Sequence, residues 1–412
     1  LDDKWDVLVM GAGAAGLMAA LRAAELGKRT LLLEKNRKAG VKILMSGGTR
    51  CNITHATDNR GIVEAFGRQG PFLHSPLAAL SVQDVLDFFE SAGVATKVES
   101  TGKVFPVSNR AVDVLSALLR RLNDSGAALA LGEPVLGARA HESGFAVTTP
   151  LRAIAARRVV LTMGGRSYPG AGTTGDGYGI AASFGHTIVT PRPALVPVRV
   201  AEPWVNELRG ITLPDVSVRV LEGSTVLAVR RGSLLFAHFG LSGPVILDVS
   251  RAISGHSQPT TLALEVNLMP ALREDELDDR LRRETAAAGK KLLAVVLGEL
   301  IPRRLAEAVL VSIGLGADRK AAALNKNDRL SLVKGIRQMR LPVAGTLGFE
   351  KAEVTAGGVA LAEVDSRRMQ SKIQPGLYFA GEVLDLDGPI GGYNFQAAWS
   401  TGWLAGTAAA ED

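Results

Sequence analysis

A single cysteine, Cys51, stands in 412 residues. It excludes an intrachain disulfide, and with it the two-cysteine couple on which disulfide reductases run. Aromatic residues make up only 5% of the chain, few for a surface that stacks nucleic-acid bases. The net charge is +6, yet no block of like charge occurs. Basic residues come as scattered doublets such as Arg120-Arg121, Arg157-Arg158 and Arg303-Arg304, so a nucleic-acid arm is not expected. No uninterrupted apolar run is long enough to suggest a membrane span. Asp2 and Asp3 precede the first apolar stretch, where a signal peptide would carry basic residues. These absences point to a cytoplasmic protein acting on a small molecule, with no nucleic-acid, membrane or metal partner and an open oligomeric state.

Apolar residues and glycine are plentiful. Hydrophobic residues reach 47%, enough for a large core and two or three domains, and there are 46 glycines. The chain is organised around Val7-Leu8-Val9-Met10-Gly11-Ala12-Gly13-Ala14-Ala15-Gly16. An apolar strand runs into Gly-x-Gly-x-x-Gly, a helical pattern follows, and Arg29–Leu33 forms a second strand closed by Glu34. Gly11 permits the tight turn, Gly13 lets backbone approach a pyrophosphate, and Gly16 lets helix pack on strand. The helix N-terminus, opening at Ala14 and Ala15, offers free N–H groups to the phosphates. Glu34 follows the first glycine by 23 positions, close to the ~20 expected of an acid that holds the adenosine ribose. Such a carboxylate repels a 2′-phosphate, so the pocket suits FAD or NAD rather than NADP.

A basic, Gly-rich loop follows over Lys35–Lys42, and Ile43-Leu44-Met45 leads into Ser46-Gly47-Gly48-Thr49-Arg50-Cys51-Asn52. It reads equally as a second phosphate or flavin contact, using backbone N–H groups with Lys42 and Arg50, and as an exposed turn. Ser81-Val82-Gln83-Asp84 has the form of a capping box opening a helix. A second helix is expected over Ala111 to Asn123, with Val112, Leu115, Leu119 and Leu122 on one face. Strands are expected at Ala128–Leu131, Phe145–Val147 and Arg158–Thr162. Gly170–Gly175 repeats the glycine pattern but lacks an entering strand and a following acid, so it reads as a loop capping a helix from Asp176.

Pro191, Pro193 and Pro197 mark a boundary. Beyond it, Val196–Val200, Val216–Val220 and Val226–Val229 are short β-rich runs suggesting a small sheet or barrel. From about Ala271 to Arg340 the pattern is helical and charged, with Glu276/Arg280 and Asp279/Arg283 at i,i+4 spacing. This segment carries most of the net charge and reads either as solvated helix faces or as a docking surface. The end of the chain returns to strand and glycine. Gly381-Glu382 closes a strand, and Gly391-Gly392-Tyr393-Asn394 opens an apolar helix. An elongated cofactor explains why both ends of the chain carry such motifs. The N-terminal turn takes the adenosine half of FAD, Gly381-Glu382 the ribityl chain, and the helix opening at Gly392 the flavin pyrimidine edge.

These motifs resemble the bacterial flavoproteins known generically as NAD(P)/FAD-dependent oxidoreductases, among them aminoacetone oxidases and reductases of dehydro bile acids. The likeness runs nearly end to end. It rests on Gly11–Gly16, Leu32-Leu33-Glu34-Lys35, Ser46–Asn52, Thr162-Met163-Gly164-Gly165, Thr174–Tyr178, Thr355–Gly358, Phe379–Asp385 and Gly391–Gln396. It implies an α/β fold: a discontinuous Rossmann-like FAD domain (1–192 and 356–412) interrupted by a β-barrel insert (193–270 and 341–355) and a helical subdomain (271–340). It further implies cofactor contacts from Lys35, Val135 beside adenine, Thr162 and Gly164, and from the 42–52 and 391–394 segments around the flavin, Ser46, Gly47, Cys51, Asn52 and Asn394 included. Met163 and Thr49 depart from the usual pattern.

The expected activity is hydride transfer through flavin N5 between a small organic substrate and NAD(P)H or oxygen. A flavin-dependent RNA-modifying protein and a flavin-bound scaffold without turnover are the alternatives. No acid–base residue stands out; Tyr168, Asp385 and Tyr393 are candidates by position alone.

Overall fold

The computed structural model describes residues 5–412; Asp2 and Asp3 lie outside the described residues. The chain divides into two compact units, one running to Pro193 and resuming over Glu353–Asp412, the other Ala194–Ala352.

The first unit is built on a parallel sheet. Strand β1 (Trp5–Met10) is followed by helix α1 (Ala14–Glu25) and strand β2 (Thr30–Glu34). β1 pairs with β2, Met10 beside Leu33. Beyond β2 lies β3 (Ala128–Leu131). On the other side β1 pairs with β4 (Ala153–Leu161), and β4 with β5 (Leu377–Phe379), which arrives from the far end of the chain. All these pairs are parallel. A parallel strand covered on both faces must be apolar at successive positions, and Val7, Leu8, Val9 and Met10 are fully buried. Two antiparallel strands extend the edge beyond β5, and a hairpin over Gly137–Thr148 attaches to β4, giving nine strands.

The last helix, Tyr393–Glu411, closes over α1. A Cβ on Gly402 would sit 2.3 Å from the Ala15 carbonyl oxygen, and one on Gly406 2.4 Å from that of Ala19. Only glycine allows backbones to approach so closely. Because 402 meets 15 and 406 meets 19, the two helices run parallel.

Several local expectations change in the structure. Lys42–Thr49 is not a plain loop: a helix is assigned over Val41–Thr49, broken by non-helical Ser46, Gly47 and Gly48. The capping box at Ser81 and Asp84 forms as expected. In the helix Ala111–Asp124 the buried face is Ala111, Val114, Leu115, Leu118 and Leu122, whereas Val112 is 42% exposed. Val112 falls a full residue off the 3.6-residue period set by the others.

The second unit holds a closed six-stranded barrel: Val198–Val200, Gly240–Ser242, Thr225–Ala237, Thr212–Glu222, Leu262–Asn267 and Met339–Thr346, in that order around it. Helices follow over Glu274–Ala287, Arg303–Ser312 and Lys326–Arg337. Barrel residues Val218, Val220 and Leu264 share one apolar core with helix residues Leu277, Leu281, Val309 and Ile336. Arg340 is a strand residue, not a helical one. The helix pairs also differ from expectation: Arg280 turns to Glu284, and Asp279 takes Arg282. No helix among the described residues is long and apolar enough to cross a membrane.

Candidate functional site

The glycine turn sits where the strand order reverses, at the carboxyl ends of β1 and β4, the place where open α/β sheets bind ligands. Gly11 has φ +102, and a Cβ on it would lie 2.8 Å from the Thr162 carbonyl oxygen. A Cβ on Gly16 would lie 1.8 Å from the Gly11 oxygen, while one on Gly13 would meet nothing within 4 Å. Gly11 and Gly16 therefore serve the turn itself, and Gly13 leaves open space beside it. No side chain caps α1, so the first-turn amides of Ala14, Ala15 and Gly16 keep their positive field. Thr162 stitches the turn from behind: its hydroxyl donates to the carbonyls of Met10 and Gly11 at 2.9 and 2.8 Å.

Glu34 closes β2 and is buried, 8% exposed as a residue. Oε2 accepts the Ala12 N–H and Oε1 the Asn36 N–H, each at 2.8 Å. The acid is thus fixed against the turn, and each oxygen retains lone-pair capacity for a further donor. The Gly132–Val135 segment lies beside it, since Glu133 N–H donates to the Glu34 carbonyl and Gly132 N–H to that of Asn36.

Farther along, Lys42, Ser167, Thr355 and Glu382 form one network. Lys42 Nζ donates to Glu382 Oε2 at 2.6 Å and to Ser167 Oγ at 2.7 Å. Ser167 Oγ and Thr355 N–H both donate to Glu382 Oε1. Thr355 Oγ1 accepts the N–H groups of Arg166 and Ser167. Gly381, with φ +75, brings this cluster against α1: a Cβ on it would lie 2.7 Å from Ala15 Cβ. Lys35 Nζ reaches Thr174 and Asp176, both at 2.6 Å. Burial opposes ionisation of Asp176, but hydrogen bonds from Lys35 and Thr174 and the Lys35 charge outweigh it and hold the carboxyl below its ordinary value. The loop carrying the second glycine pattern thereby packs on the segment just after Glu34. Gly164, with φ +72, faces Thr173 of that loop.

The Ile53–His55 segment, just after residues 46–52, backs onto the last helix. A Cβ on Gly392 would lie 2.4 Å from the carbonyl of Thr54, and Thr54 Oγ1 donates to Gln396 at 2.6 Å. His55 stacks on Tyr393 with ring centroids 4.5 Å apart. Its Nδ1 lies 3.0 Å from the Gly391 oxygen; a carbonyl only accepts, so Nδ1 carries the hydrogen. Asn394 ties the preceding turn, bonding Gly388 N–H and the oxygens of Gly388 and Pro389. Ser46 bonds within its own turn to Ile43, and Gly47 packs against Asn52. Arg50 turns to Glu99 at 2.6 Å and lies over the Phe105 ring. Cys51 is fully buried, and desolvation raises its thiol pKa to about 12 despite a hydrogen bond with Ser46. It is a packing group, not a nucleophile.

Sequence reasoning gave no site role to Ser167, Asn36 and His55, and carried Thr355 and Asp176 only inside the motifs Thr355–Gly358 and Thr174–Tyr178. Ser167, Thr355 and Asp176 meet Lys35, Lys42 and Glu382 across long separations in the chain, where no spacing rule operates, whereas Asn36 stands only two positions after Glu34.

This arrangement fits an elongated dinucleotide. The open cradle at Gly13 and the fixed carboxylate of Glu34 suit a pyrophosphate and a ribose. Asn52 Oδ1 and the Tyr178 hydroxyl are buried with no hydrogen-bond partner among the described residues. Buried polar atoms left so are unusual and point to a missing polar group. The parallel helices set a distance. Gly392 precedes Gly402 by ten residues, so the last helix opens about 15 Å beyond the α1 N-terminus at 1.5 Å per residue.

A family model described as the HI0933-like protein Rossmann domain matches residues 5–408. The chain belongs to this FAD-binding Rossmann family of oxidoreductases. An Escherichia coli protein named ribosomal RNA dihydrouridine synthase is 35% identical over 97% of each chain. A Clostridium scindens protein named 3-dehydro-bile acid delta(4,6)-reductase is 30% identical over 98% of each. Among solved structures, a 3-ketosteroid-Δ4-(5α)-dehydrogenase from Rhodococcus jostii RHA1 covers 100% of this chain and 98% of its own, with a TM-score of 0.52 and 16% identity. That likeness concerns the fold alone.

Proposed function

We propose that this HI0933-like protein is a flavin-dependent reductase of a carbon–carbon double bond conjugated to a carbonyl, and that its substrate is a uracil base in ribosomal RNA. The end-to-end similarity to a ribosomal RNA dihydrouridine synthase carries the reading. Forming dihydrouridine adds one hydride and one proton across the C5–C6 bond of uracil, which is conjugated to the C4 carbonyl. The name of the bile-acid relative describes the same type of reduction. Conjugated-bond reduction is therefore the chemistry that both relatives share, and the substrate is what separates them.

Bound FAD would relay two electrons from NAD(P)H to the double bond. The chain's own residues bind and orient. The free amides of α1 hold the pyrophosphate, and Glu34 the adenosine ribose. Glu382, held by Lys42, Ser167 and the Thr355 amide, would take the ribityl chain. The N-terminus of Tyr393–Glu411 would direct its positive field at the flavin pyrimidine edge, where negative charge gathers on reduction. Tyr393, held by the His55 stack, is the hydroxyl we assign to proton delivery.

Low aromatic content and dispersed positive charge favour a small-molecule substrate, and the 30% identical bile-acid relative supports that second reading. One experiment separates the two. The FAD-loaded protein is supplied with NADH or NADPH and either unmodified ribosomal RNA or a panel of steroid and simple enones. New dihydrouridine, measured by mass spectrometry of nucleosides, supports the first reading. Enone turnover with unchanged RNA refutes it in favour of the second.

A further inference from the structure

A small antiparallel sheet flanks the His55–Tyr393 stack. Lys103–Pro106 is its middle strand, with Thr54–His55 on one side and Thr96–Val98 on the other. His55 pairs with Lys103, and Phe105 with Lys97. Residues paired across strands share a face, as do residues two apart along a strand. His55, Lys103, Phe105 and Lys97 therefore stand on one face of this sheet. The hairpin that carries the lysines is tied down. Ile53 N–H donates to the Val104 carbonyl at 2.9 Å, and Ala56 N–H to that of Gly102 at 2.7 Å. Gly102, with φ +78, lets the turn close on the imidazole: a Cβ there would sit 2.5 Å from His55 Nε2.

Charge on this face is unbalanced. Arg50 lies over the Phe105 ring and holds Glu99, so those two charges cancel. Glu90 is bonded to Thr96, whose side chain points to the opposite face. Lys97 and Lys103 are half-buried, yet neither has a carboxylate partner among the described residues. Lys35 and Lys42, half-buried too, each hold one. A sheltered cation is ordinarily paired. Two left unneutralised on one rigid face offer a site to an anion carried by another molecule. Ser100 and Thr101, exposed at the turn between them, add hydroxyl donors.

We propose, on the RNA reading above, that Lys97 and Lys103 dock the phosphate backbone beside the uracil to be reduced. In an anti pyrimidine nucleotide the C6 edge faces the nucleotide's own 5′-phosphate. A base presented to the Tyr393 hydroxyl therefore brings phosphate close beside it. Lys103 stands directly across the strand pair from His55, on which Tyr393 rests. Lys97 and Lys103 lie diagonally across the hairpin, ~7–8 Å apart at the backbone, a spacing that suits two neighbouring phosphates better than one carboxylate. Such contacts hold and orient the strand without reading its sequence.

The test is binding of the full-length FAD-loaded protein to unmodified ribosomal RNA and to an unrelated single-stranded RNA, each over a salt series. One phosphate contact on a single strand contributes ~0.7 to the slope of log K against log salt. Lys97→Ala/Lys103→Ala therefore lowers the slope by about 1.4 and weakens both RNAs alike, on the order of tenfold at low salt. Its flavin absorbance and melting temperature match the wild type. Lys97→Arg/Lys103→Arg keeps the wild-type slope. Lys326→Ala/Lys334→Ala, exposed on the helix Lys326–Arg337, removes the same charge elsewhere and leaves the slope unchanged. If the wild type binds RNA and forms dihydrouridine while the Lys97/Lys103 alanine pair keeps its full slope, the docking face is overturned and the RNA reading stands. Equal losses from the two alanine pairs also overturn it, by tracing binding to overall charge. A wild type that binds neither RNA overturns it together with the RNA reading.

Discussion

Replacing Gly402 with alanine tests the packing on which the cofactor turn depends. The added Cβ lies 2.3 Å from the Ala15 oxygen, 2.9 Å from its Cα and 3.0 Å from its carbonyl carbon. All three atoms are backbone, so no side-chain rotation relieves them. Ordinary contact begins near 3.4 Å, so the helices must part by about 1 Å. Overpacking of this kind costs ~1–3 kcal/mol, and a rigid backbone contact belongs at the upper end. Alanine returns about 1 kcal/mol of helix propensity. The net loss is about 2 kcal/mol, or a melting temperature lower by about 4–8 °C for a unit of this size. Ala15 belongs to the first turn of α1, so FAD affinity falls together with stability. Gly179→Ala is the internal contrast. It lies within the helix Asp176–Ser183, and its added Cβ meets nothing within 4 Å. The same chemical change there leaves stability equal or higher. Thermal melts with and without FAD, and a fluorescence titration of FAD, read both effects. A Gly402→Ala protein as stable as wild type, with unaltered FAD affinity, refutes the reasoning.

Glu34→Gln leaves one of the two backbone donors, Ala12 or Asn36, facing an amide NH2; a buried donor left unsatisfied costs ~1–3 kcal/mol, and FAD affinity measured by titration drops at least tenfold. His186 is buried, and burial lowers its pKa below the ordinary 6.5, although Glu363 pulls the other way. A depressed value means that the unfolded chain takes up the proton first. Stability is therefore whole above pH 6.5 and declines as pH falls below it; the wild-type melting temperature drops across that window, and His186→Phe flattens the decline. Cys51, with its thiol raised to about 12 and no exposure, resists a thiol reagent at neutral pH in the native protein and reacts on denaturation; rapid native labelling would show that the 46–52 segment opens.

What could be read from the sequence was local. The Gly11–Gly16 turn and the acid after the second strand lie within a few dozen residues, and backbone geometry alone fixes their spacing. Glu382 was marked because it closes a strand, but its partners were invisible. Ser167 stands 215 positions away and Lys42 340. Val112 misled because an apolar residue near a helix start was counted by type; its neighbours Ala111 and Val114 hold the buried phase. The long strand Thr225–Ala237 registered only as Val226–Val229, since Arg230-Arg231-Gly232-Ser233 reads as a break. Its pairing with Thr212–Glu222 carries the strand through those residues.

Charge around the cofactor turn is the point where residue type and structure diverge most. Lys35, Lys42 and Arg50 look, in sequence, like cations waiting for phosphate. Each instead holds a carboxylate: Asp176, Glu382 and Glu99. A cation whose charge is already neutralised adds little net attraction for a dianionic pyrophosphate. In the proposed reading the attraction would then come from the oriented amides of α1, whose field needs no side chain and which no side chain caps. The lysines act one step removed: Lys42 orders Glu382, and Lys35 draws the Thr174–Asp176 loop onto the segment after Glu34. On this view the glycines matter to binding because they expose backbone, and the paired lysines because they shape the groove that the backbone lines.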